Sequence, residues 1–286
     1  MLNLGLIGDI QQLEPFAKKA QELREIYITG KSSVGTPTGN FRLSAPEFNR
    51  IELIERSDAL LINRFSLLPF QLLCDMVKKS KHFFATSYPK LTTDECNQLS
   101  KLAAEAKTLI QLSNPFYYHP AIQWLNSNIK QPTLIEVSYF TDEQPNTNTL
   151  VQLLLMLKNA TGLNPRKAGA VSYHSTPANS TLNNIQLEYG NGTIVSVNYG
   201  KTDKQKEFRI KTFAANQFTR FDLIENTYSC NNAPIDFSTL KNMNETEDFL
   251  QSILQKKQST TSVEDYSFVI QTVQKISSKL DHFAGN

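Results

Sequence analysis

Leu2-Asn3-Leu4-Gly5-Leu6-Ile7-Gly8-Asp9-Ile10-Gln11-Gln12-Leu13 is an apolar, uncharged run that ends in a glycine and passes into an amphipathic stretch. The apolar run reads as a strand buried on both faces, and the residues beyond it read as a helix through Phe16, Ala20 and Leu23. Strand, glycine turn and helix in that order open a Rossmann-like unit, with Gly8 as the first glycine of G-x-G-x-x-G. Ile10 and Leu13 stand where the second and third glycines belong. In that motif the second glycine lets the backbone approach a pyrophosphate, and the third lets the helix pack closely on its strand. A branched side chain at the point of closest approach predicts an obstructed pyrophosphate position. The fold's signature is kept while the cofactor's is broken.

Outward from this stretch, the first 112 residues continue to alternate. Glu25–Thr29, Asp58–Asn63, His82–Thr86 and Thr108–Leu112 read as strands. Leu68, Leu72 and Met76 mark one face of a helix, and the capping box Thr92-Thr93-Asp94-Glu95 opens another whose inner face is Leu99, Leu102 and Ala106. Such alternation implies a parallel sheet covered by helices. Residues 31–50, rich in Gly, Pro, Ser and Thr, break the pattern and read as a long loop of the kind that carries function.

The second half changes character. Thr133–Phe140 alternates as a strand and Leu150–Lys158 reads as a short helix ended near Gly162. Ile185, Leu187 and Tyr189 alternate up to Asn191-Gly192, and Val195, Val197 and Tyr199 alternate away, a hairpin with the residues of a type I′ turn. Further strands are expected around Glu207–Phe213, Gln217–Leu223 and Glu225–Cys230. Two helices close the chain, capped by Asn244-Glu245-Thr246-Glu247 and Ser262-Val263-Glu264-Asp265. Phe249, Ile253 and Leu254 face inward on the first, and Tyr266, Val269, Val273, Ile276 and Leu280 on the second. The fold class is therefore α/β at the N-terminus, joined to an α+β domain with a large, mostly antiparallel sheet. The division expected is 1–120 and 121–286, its boundary between Leu112 and Thr133 and the closing helices packing back on the first domain.

Composition narrows the function classes. At 286 residues with 40% hydrophobic content the chain can bury two cores. A net charge of +2, with no run of five like charges, gives no electrostatic footprint for nucleic acid or an anionic membrane. Lys78, Lys79 and Lys81 cluster at a helix end, where cations suit the dipole. Leu150 to Leu157, the longest apolar burst, is far short of the roughly 20 residues of a membrane helix. With no signal-peptide pattern at the start and only Cys74, Cys96 and Cys230, the expected compartment is the cytoplasm. His82, His119, His174 and His282 are too scattered to form a metal site from local spacing.

Four places carry a family resemblance. The stretch Asp58 to Pro89 has Ser80-Lys81-His82 where a Gly-Lys-His strand start is usual. Tyr118-His119-Pro120-Ala121 stands for Arg-Phe-x-Pro-Ala. The other two are the Asn191-Gly192 hairpin and the tail Glu247-Asp248-Phe249-Leu250 with Ser262-Val263-Glu264-Asp265. In this order they resemble the glucose–fructose oxidoreductase, inositol dehydrogenase and MocA-like oxidoreductases across nearly the whole chain. That resemblance implies hydride transfer between NAD or NADP and a sugar-like hydroxyl, and a homodimer or homotetramer through the open face of the second sheet, where the alternating strands 182–199 offer an apolar face that needs a cover. The family uses a lysine from Glu-Lys-Pro together with an Asp and a His. Here Thr86-Ser87-Tyr88-Pro89 puts Ser87 or Tyr88 at the lysine, and the Asp-x-x-x-His pattern falls on Pro145 and Thr149. The second-strand acid that would hold a ribose falls near Thr29-Gly30, while Lys31, Ser32 and Ser33 offer an alternative grip on a 2′-phosphate.

The cofactor-binding candidates are thus Gly8, Asp9, Ile10, Lys31, Asn63, Arg64, Ser66 and Asn114, and the catalytic candidates are Tyr88 and Ser87. Arg64 reads either as a bidentate anion ligand or as a surface residue paired with Glu55 or Asp94. Tyr88 reads either as a polarising donor or as packing, and Tyr117, Tyr118 and Trp124 as junction packing or a sugar platform. Two functions stay open: an NAD(P)-dependent oxidoreductase with an atypical site, or a non-catalytic relative serving as scaffold, ligand sensor or partner of an active paralogue.

Overall fold

In the computed structural model the opening run is strand β1 (Leu2–Gly8), with Leu4, Leu6 and Ile7 fully buried. The structure describes residues 1–34, 44–175, 180–203, 206–237 and 244–284. They fall into two units, residues 1–114 with 243–267 and residues 115–242 with 268–286. In the first, β1 is followed by α1 (Ile10–Gln21), β2 (Ile26–Ser33), α2 (Arg50–Arg56), β3 (Ala59–Ile62), α3 (Phe70–Lys78), β4 (His82–Ala85), α4 (Thr93–Ala106) and β5 (Ile110–Leu112). The five strands are parallel in the order β2-β1-β3-β4-β5. The order reverses between β1 and β3, so their carboxyl ends form the crevice in which open α/β sheets bind ligands.

Several local expectations change. β2 runs on to Ser33, so Lys31, Ser32 and Ser33 are strand residues and not loop; Ser32 is buried. Residues 35–43 of the expected 31–50 loop lie outside the described residues. Helix α2, too short to show a periodic signal, packs against β1 and β2. Gly5 lets it approach, since a Cβ there would come within 2.5 Å of Ser57 Oγ. On α3 the buried face is Leu73, Met76 and Val77, while Leu68 precedes the helix and Leu72 stays half-exposed. The Thr92–Glu95 capping box is present in both directions, but the residues that α4 buries fully are Cys96 and Leu99. Lys79 is paired with Glu55, and Lys81 Nζ donates to the carbonyls of Glu55 (3.1 Å) and Ser57 (2.7 Å) at the end of α2.

The second unit begins with α5 (Pro120–Asn128), β6 (Leu134–Thr141) and α6 (Thr147–Thr161). It continues through β7 (Pro165–Ser175), β8 (Ser180–Tyr189), β9 (Ile194–Lys201), β10 (Glu207–Ala214), β11 (Gln217–Asp222), β12 (Thr227–Cys230) and β13 (Ala233–Pro234). The sheet order is β13-β12-β11-β10-β6-β9-β8-β7, with β6 and β9 parallel and the remaining pairs antiparallel. Ile185, Leu187, Val195 and Val197 are fully buried, so the apolar face of strands 182–199 is the inner one. The outer face carries Asn184, Gln186, Ser196 and Asn198, with Asn184 Nδ2 donating to Asn198 Oδ1 at 2.8 Å. An expectation of that apolar face as an open surface needing a cover therefore fails.

The hairpin turn differs as well. Only Gly192 has a positive φ, +88°, and Asn191 does not, so type I′ geometry is excluded. Gly192 N–H donates to Tyr189 O (3.1 Å) and Tyr189 N–H to Thr193 O (2.9 Å), closing a three-residue loop with glycine at the left-handed position. Helix α6 is longer at both ends than the apolar burst, from the Asn146 cap to Gly162 at φ +67°. Strand β7 and helix α5 had no strong local signal. His174 lies in β7, its side chain outside the described residues.

The chain ends in α7 (Glu245–Leu254) and α8 (Val263–Ala284). Asn244 caps α7 as its sequence suggests, accepting from Thr246 and Glu247 N–H, but Leu250 is buried with Phe249 while Leu254 is exposed. Phe249 and Leu250 join Leu4, Leu6, Ile10, Leu13, Ala17, Ala20, Leu61 and Phe84 in one apolar cluster of the first unit. The segment before α8 extends the same sheet, since Leu112 N–H donates to Thr261 O at 2.9 Å. Ser262 and Asp265 form the expected reciprocal cap.

Candidate functional site

Gly8 closes β1 at φ +126°, a conformation that L side chains rarely adopt, and a Cβ there would lie 1.9 Å from Asn63 Oδ1. Asn63, buried just past β3, latches the turn. Its Oδ1 accepts from Asp9 N–H (2.8 Å), and its Nδ2 donates to Asp9 O (2.9 Å) and Gln12 Oε1 (3.2 Å). The turn between β1 and α1 is thereby fixed to the end of β3 at the strand-order reversal.

Asp9 is the N-cap of α1, its Oδ1 accepting from Gln11 N–H at 3.1 Å. Its partner across the crevice is Arg64, with Nη2 3.8 Å from Asp9 Oδ2, while Glu55 is taken by Lys79. At this separation between half-exposed groups the pair adds little stability. The Ile10 side chain is 8% exposed and Leu13 fully buried, both within the apolar cluster. The expected obstruction by Ile10 is therefore absent: the side chain turns into the core instead of standing over the turn.

At the far edge the strip Pro46–Phe48 runs alongside β2. Lys31 N–H donates to Pro46 O and Phe48 N–H to Lys31 O, both at 2.9 Å. Gly30 permits this approach, because a Cβ would meet the Phe48 ring at 2.5 Å. Both oxygens of the Glu47 carboxylate are held by Ser33, Oε1 by its N–H (2.5 Å) and Oε2 by its hydroxyl (2.8 Å). Ser33 is the register partner of Gly8, and Val34 N–H donates to Gly8 O at 3.0 Å. Glu47 was not among the sequence candidates; the one signal for it was a glycine inside a strand, which marks a close approach by something else.

The catalytic candidates are bound to backbone. The Ser87 hydroxyl donates to Asn63 O, and Tyr88 donates to Ser113 O at 2.7 Å. The Tyr88 ring stacks on Tyr266 at 5.8 Å and 10°. Ser66 lies exposed in a short turn at Phe65–Leu67. Asn114 is buried beyond β5, its N–H on Glu245 Oε2 (3.2 Å) and its Nδ2 on Thr261 Oγ1 (3.4 Å). Burial pushes the Glu245 carboxyl up to about 7, partly opposed by the Ser113 and Asn114 hydrogen bonds. His119 caps α5 through Nδ1 (3.2 Å to Ala121 N), and its imidazole, like that of His82, is held below the ordinary value by burial. Among the described residues no group of three or more His, Cys, Asp or Glu is placed to hold a metal, and no helix is long and apolar enough to cross a membrane.

No protein-family model and no curated protein matches the chain. Its fold, however, is that of solved dehydrogenases of the glucose–fructose oxidoreductase, inositol dehydrogenase and MocA type. A UDP-N-acetylglucosamine 3-dehydrogenase from Acidithiobacillus ferrooxidans is similar at a TM-score of 0.81 and 17% identity, covering 99% of this chain and 98% of the other. A scyllo-inositol dehydrogenase from Lactobacillus casei, solved with NAD(H) and scyllo-inositol, gives 0.77 and 12% over 99% and 97%. A biliverdin reductase from Synechocystis, solved with biliverdin and NADP+, gives 0.73 and 15% over 98% and 99%.

Proposed function

We propose that this chain is an oxidoreductase that binds NAD or NADP and acts on a sugar- or polyol-type substrate. The observation that carries the reading is the crevice at the β1–β3 reversal, where Gly8 and Asn63 keep the shaped turn of a dinucleotide site although the later glycines are gone. The residues fit such a cofactor. Gly8 at φ +126° holds the turn in the conformation that glycine alone takes easily, Arg64 offers an exposed guanidinium to a phosphate, and Glu47 stands at the end of β2. One adjustment is needed: the Asp9 carboxylate must leave Gln11 N–H, because that N–H and a helix N-terminus are what a pyrophosphate would take. When bound, the nicotinamide would supply or accept the hydride; this chain's part is to bind and orient.

A second reading is a non-catalytic relative acting as scaffold, ligand sensor or partner of an active paralogue. It is favoured by Ser87 and Tyr88, whose hydroxyls are spent on backbone carbonyls where a proton-transferring lysine is usual. Calorimetric titration with NADH and NADPH, followed by nicotinamide absorbance over a panel of sugar nucleotides and polyols, separates the two. Tight binding with turnover supports the first and sinks the second, and no binding at millimolar cofactor overturns the first and leaves the non-catalytic reading. A homodimer or homotetramer through the outer sheet face, where Val171, Tyr173, Leu182 and Ile194 are exposed, is part of the proposal. So is a cytoplasmic setting, with which three unpaired cysteines accord.

A further inference from the structure

Resting on the dinucleotide reading above, we infer that Glu47 replaces the missing acid of the second strand: its carboxylate takes the adenosine ribose diol and makes the site prefer NAD over NADP. A dinucleotide fold normally places this acid on the chain directly after β2, where it accepts from the ribose 2′-hydroxyl. The sequence puts that position at Thr29-Gly30, but β2 runs on to Ser33 and the residue after it is Val34, which has no carboxylate. The acid arrives instead from the returning strip, brought in by the Lys31–Pro46 and Lys31–Phe48 backbone bonds. The strip is pinned by Phe48, whose ring fills the space left by Gly30 and lies 4.8 Å under the Arg56 guanidinium of α2.

The carboxylate is oriented by a single residue, each oxygen accepting one bond from Ser33, while Glu47 itself remains exposed. Each oxygen of an ionised carboxylate has a further lone-pair site. Two such oxygens facing solvent suit the two donors of a vicinal diol, in charge-assisted bonds. The same arrangement opposes a 2′-phosphate. The Ser33 hydroxyl that would have gripped the phosphate is committed to Glu47, Ser32 is buried, and the carboxylate repels a second anion. The register sets Ser33, which holds this carboxylate from the outer edge of β2, opposite Gly8 at the turn, so the carboxylate stands one strand away from the turn at the same level of the sheet.

The test is binding, read by calorimetry and by quenching of nicotinamide fluorescence. The unmodified chain should bind NADH at least about tenfold more tightly than NADPH, and Glu47→Gln should lose about tenfold for NADH with NADPH unchanged or tighter. Because that variant also changes the strip's anchoring to Ser33, a comparison that needs no variant runs beside it. NAD against 2′-deoxy-NAD on the unmodified protein should show a loss of similar size. Equal binding of NAD and its deoxy analogue, or an NADH to NADPH ratio that ignores Glu47→Gln, overturns this assignment and leaves the dinucleotide reading standing. Failure of the unmodified chain to bind either dinucleotide overturns both.

Discussion

Glu245 makes the stability of the first unit depend on pH in a calculable direction. It is the first residue of α7, its carboxyl packed against the end of β5 with Asn114 N–H on Oε2. Burial raises it from an ordinary 4.5 to about 7, and at about 1.4 kcal/mol per pH unit that separation is worth about 3 kcal/mol. The helix N-terminus favours the ionised form and takes back up to about 1 kcal/mol. The folded chain holds this proton more tightly than the unfolded one, so the contribution is whole below the unfolded value of 4.5 and is lost as pH rises through about 7. His82 and His119, held below 6.5 by burial, act oppositely, costing stability as pH falls. The difference between the unmodified chain and Glu245→Gln cancels them. The amide keeps an acceptor for Asn114 N–H and brings a donor to a pocket where Asn114 Oδ1 has none. Urea unfolding from about pH 5 to about pH 8.5 should show the two proteins close at the acid end, with the variant about 2–3 kcal/mol more stable at the alkaline end. A difference that does not change with pH would refute the reasoning.

Gly8→Ala should both destabilise the first unit, by about 2 kcal/mol or more from the positive φ and the contact with Asn63, and abolish any thermal shift with NADH. Asp9→Ser retains a capping oxygen without the charge, and titration should show NADH binding about five- to tenfold tighter. Tyr88→Phe should lower stability by about 1 kcal/mol in denaturant melts, the worth of its bond to Ser113 O, and leave NADH affinity unchanged.

What the sequence made legible is what periodicity and capping encode. β1, α1, β3, β4 and the hairpin follow from runs and alternation long enough to have only one amphipathic solution, and the Thr92–Glu95 and Ser262–Asp265 caps form as written. What was illegible is what only a neighbour decides. β7 reads Pro-Arg-Lys-Ala-Gly-Ala-Val-Ser-Tyr-His-Ser, a weak alternation that becomes a strand because β8 offers it ten paired positions. Helix α2 has seven residues, less than two clear turns of pattern, and stands because Gly5 leaves room for it. Glu245 looks like an ordinary acid in a helix-opening motif, and nothing local tells that Gln111, Ser113 and Asn114 at the end of β5 meet it. Glu47 is further still from prediction, since its meaning depends on a backbone approach that Gly30 alone hints at.

The lost glycines are then a statement about packing and not about the turn. In the motif one set of glycines serves two ends, a turn open to a phosphate and a helix close to its strand. Here the two are separated. Gly8 and the Asn63 latch keep the turn, while Ile10 and Leu13 have become core residues shared with Phe84 and with Phe249 from α7. Restoring the motif with Ile10→Gly and Leu13→Gly would therefore excavate the core, at about 2–5 kcal/mol for each large side chain removed, and would open nothing at the crevice. The groups that decide whether an anion enters are the ones that face it: the Asp9 carboxylate on Gln11 N–H, which opposes entry, and Arg64 across from it, which favours it.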